Sequence, residues 1–205
     1  GGEAREKLGK EMNFQEALNY FPRHLKYERT ILGHLATHEN DFIGALRKLP
    51  RSLQLLFVHA YQSFLFNKML EKRIEENALL EPREGDFYCE KNFLGFPNIS
   101  ETRKISSRTE AQEVNELVEE KYLVGKIIGC ETELSEEEEK LLGEENVSRE
   151  DFFIKSMPEL SSKGTLRALF VPLKDFQVLS DKPVEIRFCL PSGSYATVAV
   201  QELIC

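Results

Sequence analysis

The segment that most restricts the fold is SLQLLFVHAYQSFLFNKMLEKRIEEN, from Ser52 to Asn77. Leu53, Leu56, Phe57, Ala60, Tyr61, Phe64, Leu65, Met69 and Leu70 recur in it at helical spacing. Pro50 stands just before it, and Glu71, Lys72, Arg73, Glu75 and Glu76 make its far end polar and solvated. Apolar residues spill around the first turns beyond one stripe, so this long helix is expected to be central.

The residues before it also read as helical. Glu3 to Phe21 places Leu8, Met12, Ala17 and Phe21 on roughly one face; Pro22 breaks the pattern and His24 to Leu35 resumes it. Asn40-Asp41 supplies a cap before Phe42, Ile43 and Leu46. From Leu79 the texture changes. Phe87-Tyr88-Cys89 reads as a short strand, residues 91–110 as a long loop, Ala111 to Glu120 as a helix and Lys121 to Ile128 as a strand. Ser135 and Glu138 have the spacing of a capping box opening an acidic helix over 136–145, and Ser148 with Asp151 repeats that signal. After a connector from Pro158 to Gly164, the runs Leu166 to Val178 and Val184 to Leu190 read as two strands.

The tail carries the sharpest local pattern. Val184, Ile186, Phe188 and Leu190 are apolar at period two, with Glu185, Arg187 and Cys189 in the other phase. That alternation predicts a strand with one face on a core. Pro191 stops the ladder, Ser192-Gly193-Ser194 forms a tight elbow in which Gly193 is free to take positive φ, and Tyr195 follows at once. Thr197, Val198 and Val200 would suit a hairpin strand, whereas Ser194 would cap a helix; the helix is the reading adopted.

Composition excludes some functions and leaves others open. With 205 residues and 41% hydrophobic content the chain makes one or two globular domains. No run approaches a membrane span, and GGEAREKLGKEMN at the start has no apolar signal-peptide centre, so the expected compartment is the cytoplasm. Cys89, Cys130, Cys189 and Cys205 form no Cys-x-x-Cys pair and no His follows one at ligand spacing, so reduced thiols are expected and zinc is not. The net charge of −8 is local: fifteen acids face six bases between Ala111 and Thr165, leaving twenty against twenty-one elsewhere. A near-neutral remainder still allows a basic groove for a polyanion.

Two segments carry a resemblance. HAYQSFLFN (His59 to Asn67), followed by Arg73, and VEIRFCLPSGSYAT (Val184 to Thr197) resemble the signature segments of TruD-type tRNA pseudouridine synthases. FPRHLKYER, ALRKLP, EGD, EDFFI and PELSSKGTLRA occur in an order similar to the archaeal branch of that family. The resemblance implies an α+β fold: a helical and mixed insertion domain over residues 1–163, followed by the C-terminal strands of the synthase sheet over 164–205. It implies a tRNA partner, no membrane, and isomerisation of a uridine (uridine 13 by family expectation) without cofactor or metal. A family Asp performs the chemistry, and the target nucleotide leaves its stack to reach it.

One departure bears on activity. The family nucleophile lies in a Gly-x-Lys-Asp context, and this chain holds only Asp41, Asp86, Asp151, Asp175 and Asp181. Lys174-Asp175 follows Pro-Leu and lacks the glycine; Asn19-Tyr20-Phe21 is followed by Pro22 where the family has Gly. The resemblance is therefore to the C-terminal portion of such an enzyme, with the Asp expected upstream and this stretch alone expected to be inactive. A stand-alone RNA-binding or adaptor module on the same scaffold is the alternative.

Candidate contacts follow residue by residue. By the resemblance, Tyr195 stands near the target base, where its ring would stack; read as residues alone, it is a core Tyr anchoring the elbow. Ser194 and Gly193 accompany it, Ser194 also being a fair cap. Arg187 and Arg167 lie on predicted strands, where a lone Arg needs a partner such as a phosphate. His59, Gln62, Ser63 and Asn67 form one polar stripe, either facing RNA or a cleft, or holding the helix on the sheet. Lys91, Arg103, Lys104 and Arg108 in the long loop offer a phosphate contact set or, as scattered loop bases by default, a solvated surface. Gln201 stands where many relatives carry Arg.

Overall fold

The N-terminal helical stretch breaks at Met12. In the computed structural model, which describes residues 1–116 and 120–204, Met12 closes α1 (Gly2–Glu11) with a left-handed backbone at φ 50°. Asn13 then caps α2 (Phe14–Tyr20), its side chain accepting from the Glu16 N–H. The single helix expected over Glu3–Phe21 is thus two, because an Asn side chain satisfies a free helix-end donor that the interior of a helix does not offer. α3 (Lys26–Leu35) and α4 (Phe42–Arg47) follow, with Asp41 capping α4 through the Gly44 N–H as its spacing predicts. Ala17, Phe21 and Leu32 bury together, and Arg29 donates to the Leu18 and Phe21 carbonyls at 2.8 and 2.9 Å.

The long helix is α5 (Arg51–Glu75). It lies on an antiparallel sheet of β1 (Phe87–Lys91), β2 (Pro97–Lys104), β3 (Lys121–Ile127) and β4 (Thr165–Ala168), in spatial order β2-β1-β3-β4. Gly125 on β3 sets their approach: a Cβ there would stand 3.0 Å from the Phe66 ring and 2.7 Å from Leu169, so a side chain would push the helix off. β2 occupies a stretch that reads as loop. It is an edge strand with Pro97 at its start and almost no apolar alternation, so neither sequence signal of a strand is present.

α6 (Arg108–Glu116) follows β2; the last residues of the helix expected up to Glu120 include positions outside the described residues. α7 (Glu136–Glu144) carries the complete capping box of Ser135 and Glu138, and Ser148 with Asp151 forms a second one on the 3-10 turn Arg149–Phe152. Leu65 packs with Ile128, Leu141, Leu142 and Phe152, which binds α5 to β3, α7 and that turn.

The long helix is central on one side only. Gln54, Gln62, Leu65 and Phe66 face inward, whereas Leu56, Phe57 and Phe64 are exposed. Its extra apolar residues therefore form open surface.

The chain leaves the sheet after Ala168, and Pro172 lies in the break. β5 (Lys174–Asp181) and β6 (Val184–Cys189) pair only with each other, around a cis Lys182–Pro183 bond. The strand expected over Leu166–Val178 is accordingly two strands in two sheets, and the division expected at Gly164 falls before β4, which stays with β3. Ile186 and Phe188 are half-buried but Val184 is 74% exposed, so the alternation of β6 meets no core here. A two-stranded ribbon carrying exposed Phe176, Val178 and Leu179 is marginal by itself. α8 (Ala196–Ile204) is the helix predicted for the tail.

Candidate functional site

The elbow is built from backbone. The Ser194 N–H donates to the Pro191 carbonyl at 3.2 Å, and Gly193 takes φ 86°, a conformation in which an L side chain is strained. The turn delivers Tyr195 to the start of α8, where its carbonyl accepts from the Val198 N–H at 3.1 Å. Within this chain Tyr195 is 71% exposed. Ser194 is not the cap. α8 begins at Ala196, which puts Tyr195 in the capping position and Ser194 one residue further back. Arg187 on β6 donates to Gln177 Oε1 at 2.8 Å across the ribbon, a neutral partner that leaves its charge uncancelled. Lys174 Nζ donates to the Leu94 carbonyl at 2.7 Å and ties the ribbon to the β1–β2 turn, while Asp175 beside it takes φ 52° at a bulge.

A second group forms where β4 meets α5. The Arg167 guanidinium sits 5.4 Å from the centre of the Phe66 ring, and its Nη1 lies 3.5 Å from Ser63 Oγ. Ring and hydroxyl hold the cation in place without neutralising it. His59 and Asn67 are exposed on the same helix. Gln62 is not: it is 2% exposed, and its amide donates to the Ile128 carbonyl at 2.6 Å and to Ser162 Oγ at 2.7 Å. Expected among the RNA or cleft contacts, Gln62 is an interior tie between helix and sheet. The structure thus brings Arg167 to Ser63, and Arg187 to the ribbon that carries Tyr195; no hydrogen bond joins the two groups among the described residues. Phe66, the platform for Arg167, was hidden in the apolar run.

Electrostatics decide which surfaces suit a polyanion. A cavity of about 310 Å³ beside α5 is lined by Glu136, Glu137 and Glu138 along with Arg73 and Arg83. Those cations are matched: Arg73 forks onto Asp86 at 2.8 and 3.0 Å, and Arg83 meets Glu76 at 2.8 Å. Burial pushes the Cys89 thiol up to about 11, so it stays protonated and inert. Among the described residues no group of three or more His, Cys, Asp or Glu is arranged to hold a metal, and no helix is long and apolar enough to cross a membrane.

Known proteins share this architecture. The family model described as "TruD: tRNA pseudouridine synthase D (TruD)" matches residues 2–203. A probable tRNA pseudouridine synthase D of Methanosarcina barkeri is 36% identical over 97% of this chain and 49% of its own length. One from Methanopyrus kandleri is 38% identical over 93% of this chain and 42% of its own. The crystal structure of a TruD protein from Methanosarcina mazei superposes with a TM-score of 0.82 at 35% identity, covering 98% of this chain and 49% of that one. The α+β scaffold is of the pseudouridine-synthase class. Within it the chain belongs to the TruD family, and it spans about half the length of the curated relatives it matches.

Proposed function

We propose that this chain is the C-terminal half of a tRNA pseudouridine synthase that isomerises a uridine, uridine 13 by family expectation, in tRNA. The observation that carries the reading is Tyr195: an exposed ring presented by the Gly193 elbow at the edge of an open ribbon, in a chain matched by TruD proteins twice its length. In the reaction the N1–C1′ bond breaks and a C5–C1′ bond forms; the C5 proton leaves to solvent and N1 gains one. The Asp that attacks belongs to the part of the relatives outside this span, so the stretch described here does not turn over alone. Tyr195 stacks on the flipped base, with Gly193 and Ser194 shaping the elbow around it. Arg187 and Arg167, held by neutral groups, meet phosphates. Residues through β4 form the insertion, and the ribbon from Lys174 onward joins the catalytic sheet, whose remaining strands would cover its exposed face.

Tritium release from tRNA labelled at uridine C5 tests this, because forming the C5–C1′ bond expels that hydrogen. The full-length protein is expected to release one tritium per tRNA and the 205-residue chain none. Failure of the full-length protein to release any would leave a non-catalytic module on the same scaffold.

A further inference from the structure

Two chain segments meet at the corner where α4 turns into α5, and they carry four cations. Lys48 follows Arg47 at the end of α4, Arg51 opens α5, and Lys155 lies on the loop after the 3-10 turn Arg149–Phe152; all four are exposed. The two chain segments are 109 and 108 residues apart at their points of contact, and the arginines themselves join them. Arg47 Nη2 donates to the Ser156 carbonyl at 2.7 Å, and Arg51 Nη2 to the Glu159 carbonyl at 3.4 Å. Bonds to carbonyls fix a guanidinium without cancelling its charge. Among the described residues none of the four has a carboxylate oxygen within 4.0 Å, whereas Lys68, Lys72, Arg73 and Arg83 on the far half of α5 and beyond it each have one.

Two acids of the same segment are engaged elsewhere, and the third, Glu159, is exposed with its carboxylate more than 4.0 Å from all four cations. Glu150 pairs with Arg149, and Asp151 accepts from the N–H and hydroxyl of Ser148. Phe153, two residues before Lys155, is 51% exposed. Uncancelled cations with an open ring on the same loop as one of them are the chemistry of an RNA strand, phosphates on the cations and a base on the ring. Two larger features orient the field. α5 directs the positive end of its dipole at this corner, and its other half carries the acidic α7 through Lys68–Glu145 and Lys72–Glu137. A polyanion is drawn to one end of α5 and repelled from the other.

We propose that this corner, Arg47, Lys48, Arg51 and Lys155 with Phe153 on the adjoining loop, is a phosphate-backbone contact for tRNA, additional to the Tyr195 elbow. It rests on the reading that the protein acts on tRNA. The test is the salt dependence of binding an unmodified tRNA transcript by the full-length protein, with tritium release measured in parallel. Lys48→Gln/Lys155→Gln removes two charges and no recorded hydrogen bond; adding Arg47→Gln removes a third. Lys140→Gln, on the acidic helix, controls for net charge.

The double variant is expected to bind at least tenfold more weakly at low salt, with the slope of log K against log salt shallower by about 2, and the triple by about 3. The maximal rate at saturating tRNA stays at the wild-type value, and Lys140→Gln binds as wild type. Affinity within twofold of wild type and a slope unchanged to within about 0.5 in both variants overturn the corner, while tritium release would still uphold the catalytic reading. A wild type that releases no tritium but loses tRNA through these substitutions sinks the catalytic reading and upholds the corner. Absence of tRNA binding by the wild type overturns both.

Discussion

Gln62 donates its side-chain amide to the main-chain carbonyl of Ile128 at 2.6 Å, joining the middle of α5 to the residue just after β3 inside the core. The same nitrogen reaches Ser162 Oγ at 2.7 Å, so one side chain ties three segments. Leucine fits the space but donates nothing. Gln62→Leu should therefore cost about 1–3 kcal/mol, the usual consequence of leaving a buried carbonyl without its donor. Urea unfolding measures it, and an unchanged midpoint would show that the carbonyl finds another partner.

Arg73 and Asp86 make a second, charged tie. The guanidinium forks onto the carboxylate and also donates to the Ala78 and Glu81 carbonyls, with Arg73 and Asp86 side chains only 12% and 20% exposed. Lysine keeps the charge and cannot reproduce the fork. Arg73→Lys should lose about 1–3 kcal/mol, and Asp86→Asn in the same background should lose less than it does in wild type. Additive losses in a double-mutant cycle would show that the two residues do not act together.

Thiol chemistry should separate the cysteines. Cys189 lies exposed on β6, Cys130 is half-buried, and Cys89 is 1% exposed with its pKa pushed up to about 11. Maleimide at neutral pH should label Cys189 within minutes and leave Cys89 unmodified until denaturant is added. Rapid labelling of Cys89 in the native protein would mean that the β1–β3 core opens freely.

Acid should weaken the fold from a defined point. The Arg5 guanidinium holds the Glu28 carboxyl below its ordinary range, His34 does so for Asp41, Arg83 for Glu76, and the Ser148 N–H for Asp151. In each case the folded chain keeps the group ionised at a pH where the unfolded chain has taken up its proton. Stability is thus fully present above about pH 5, starts to fall near the unfolded values at about pH 4, and is lost further as pH drops through the folded ones. The urea midpoint should stay level from pH 7 to about 5 and then decline. A decline beginning between pH 7 and 6 would contradict a loss driven by these carboxylates.

The contrast between Gln62 and Tyr195 shows how far the sequence can be read. Helical spacing located α5 almost to the residue, and cap chemistry located α4 and α7, because those signals are local. The face that Gln62 occupies was legible, but whether it met RNA or a strand depended on Ile128 and Ser162, far away in the chain. β2 was missed because an edge strand needs little apolar alternation, and β4 was merged with β5 because both are extended. The elbow at Gly193 and the ring beyond it could be read from four adjacent residues. The cationic corner could not, since Lys155 joins Arg47, Lys48 and Arg51 only through the fold.

On the proposed function, Tyr195 serves a flipped uridine in an enzyme whose nucleophile lies outside this span. The most direct measurement is the single-turnover rate of pseudouridine formation on saturating tRNA by the full-length protein and its Tyr195→Ala and Tyr195→Phe variants. Loss of a stacked ring is worth about 1–3 kcal/mol, so Tyr195→Ala should be slower by about 5- to 150-fold, while Tyr195→Phe keeps the ring and is slowed by less than the Ala variant. An Ala variant as fast as wild type would remove Tyr195 from the site.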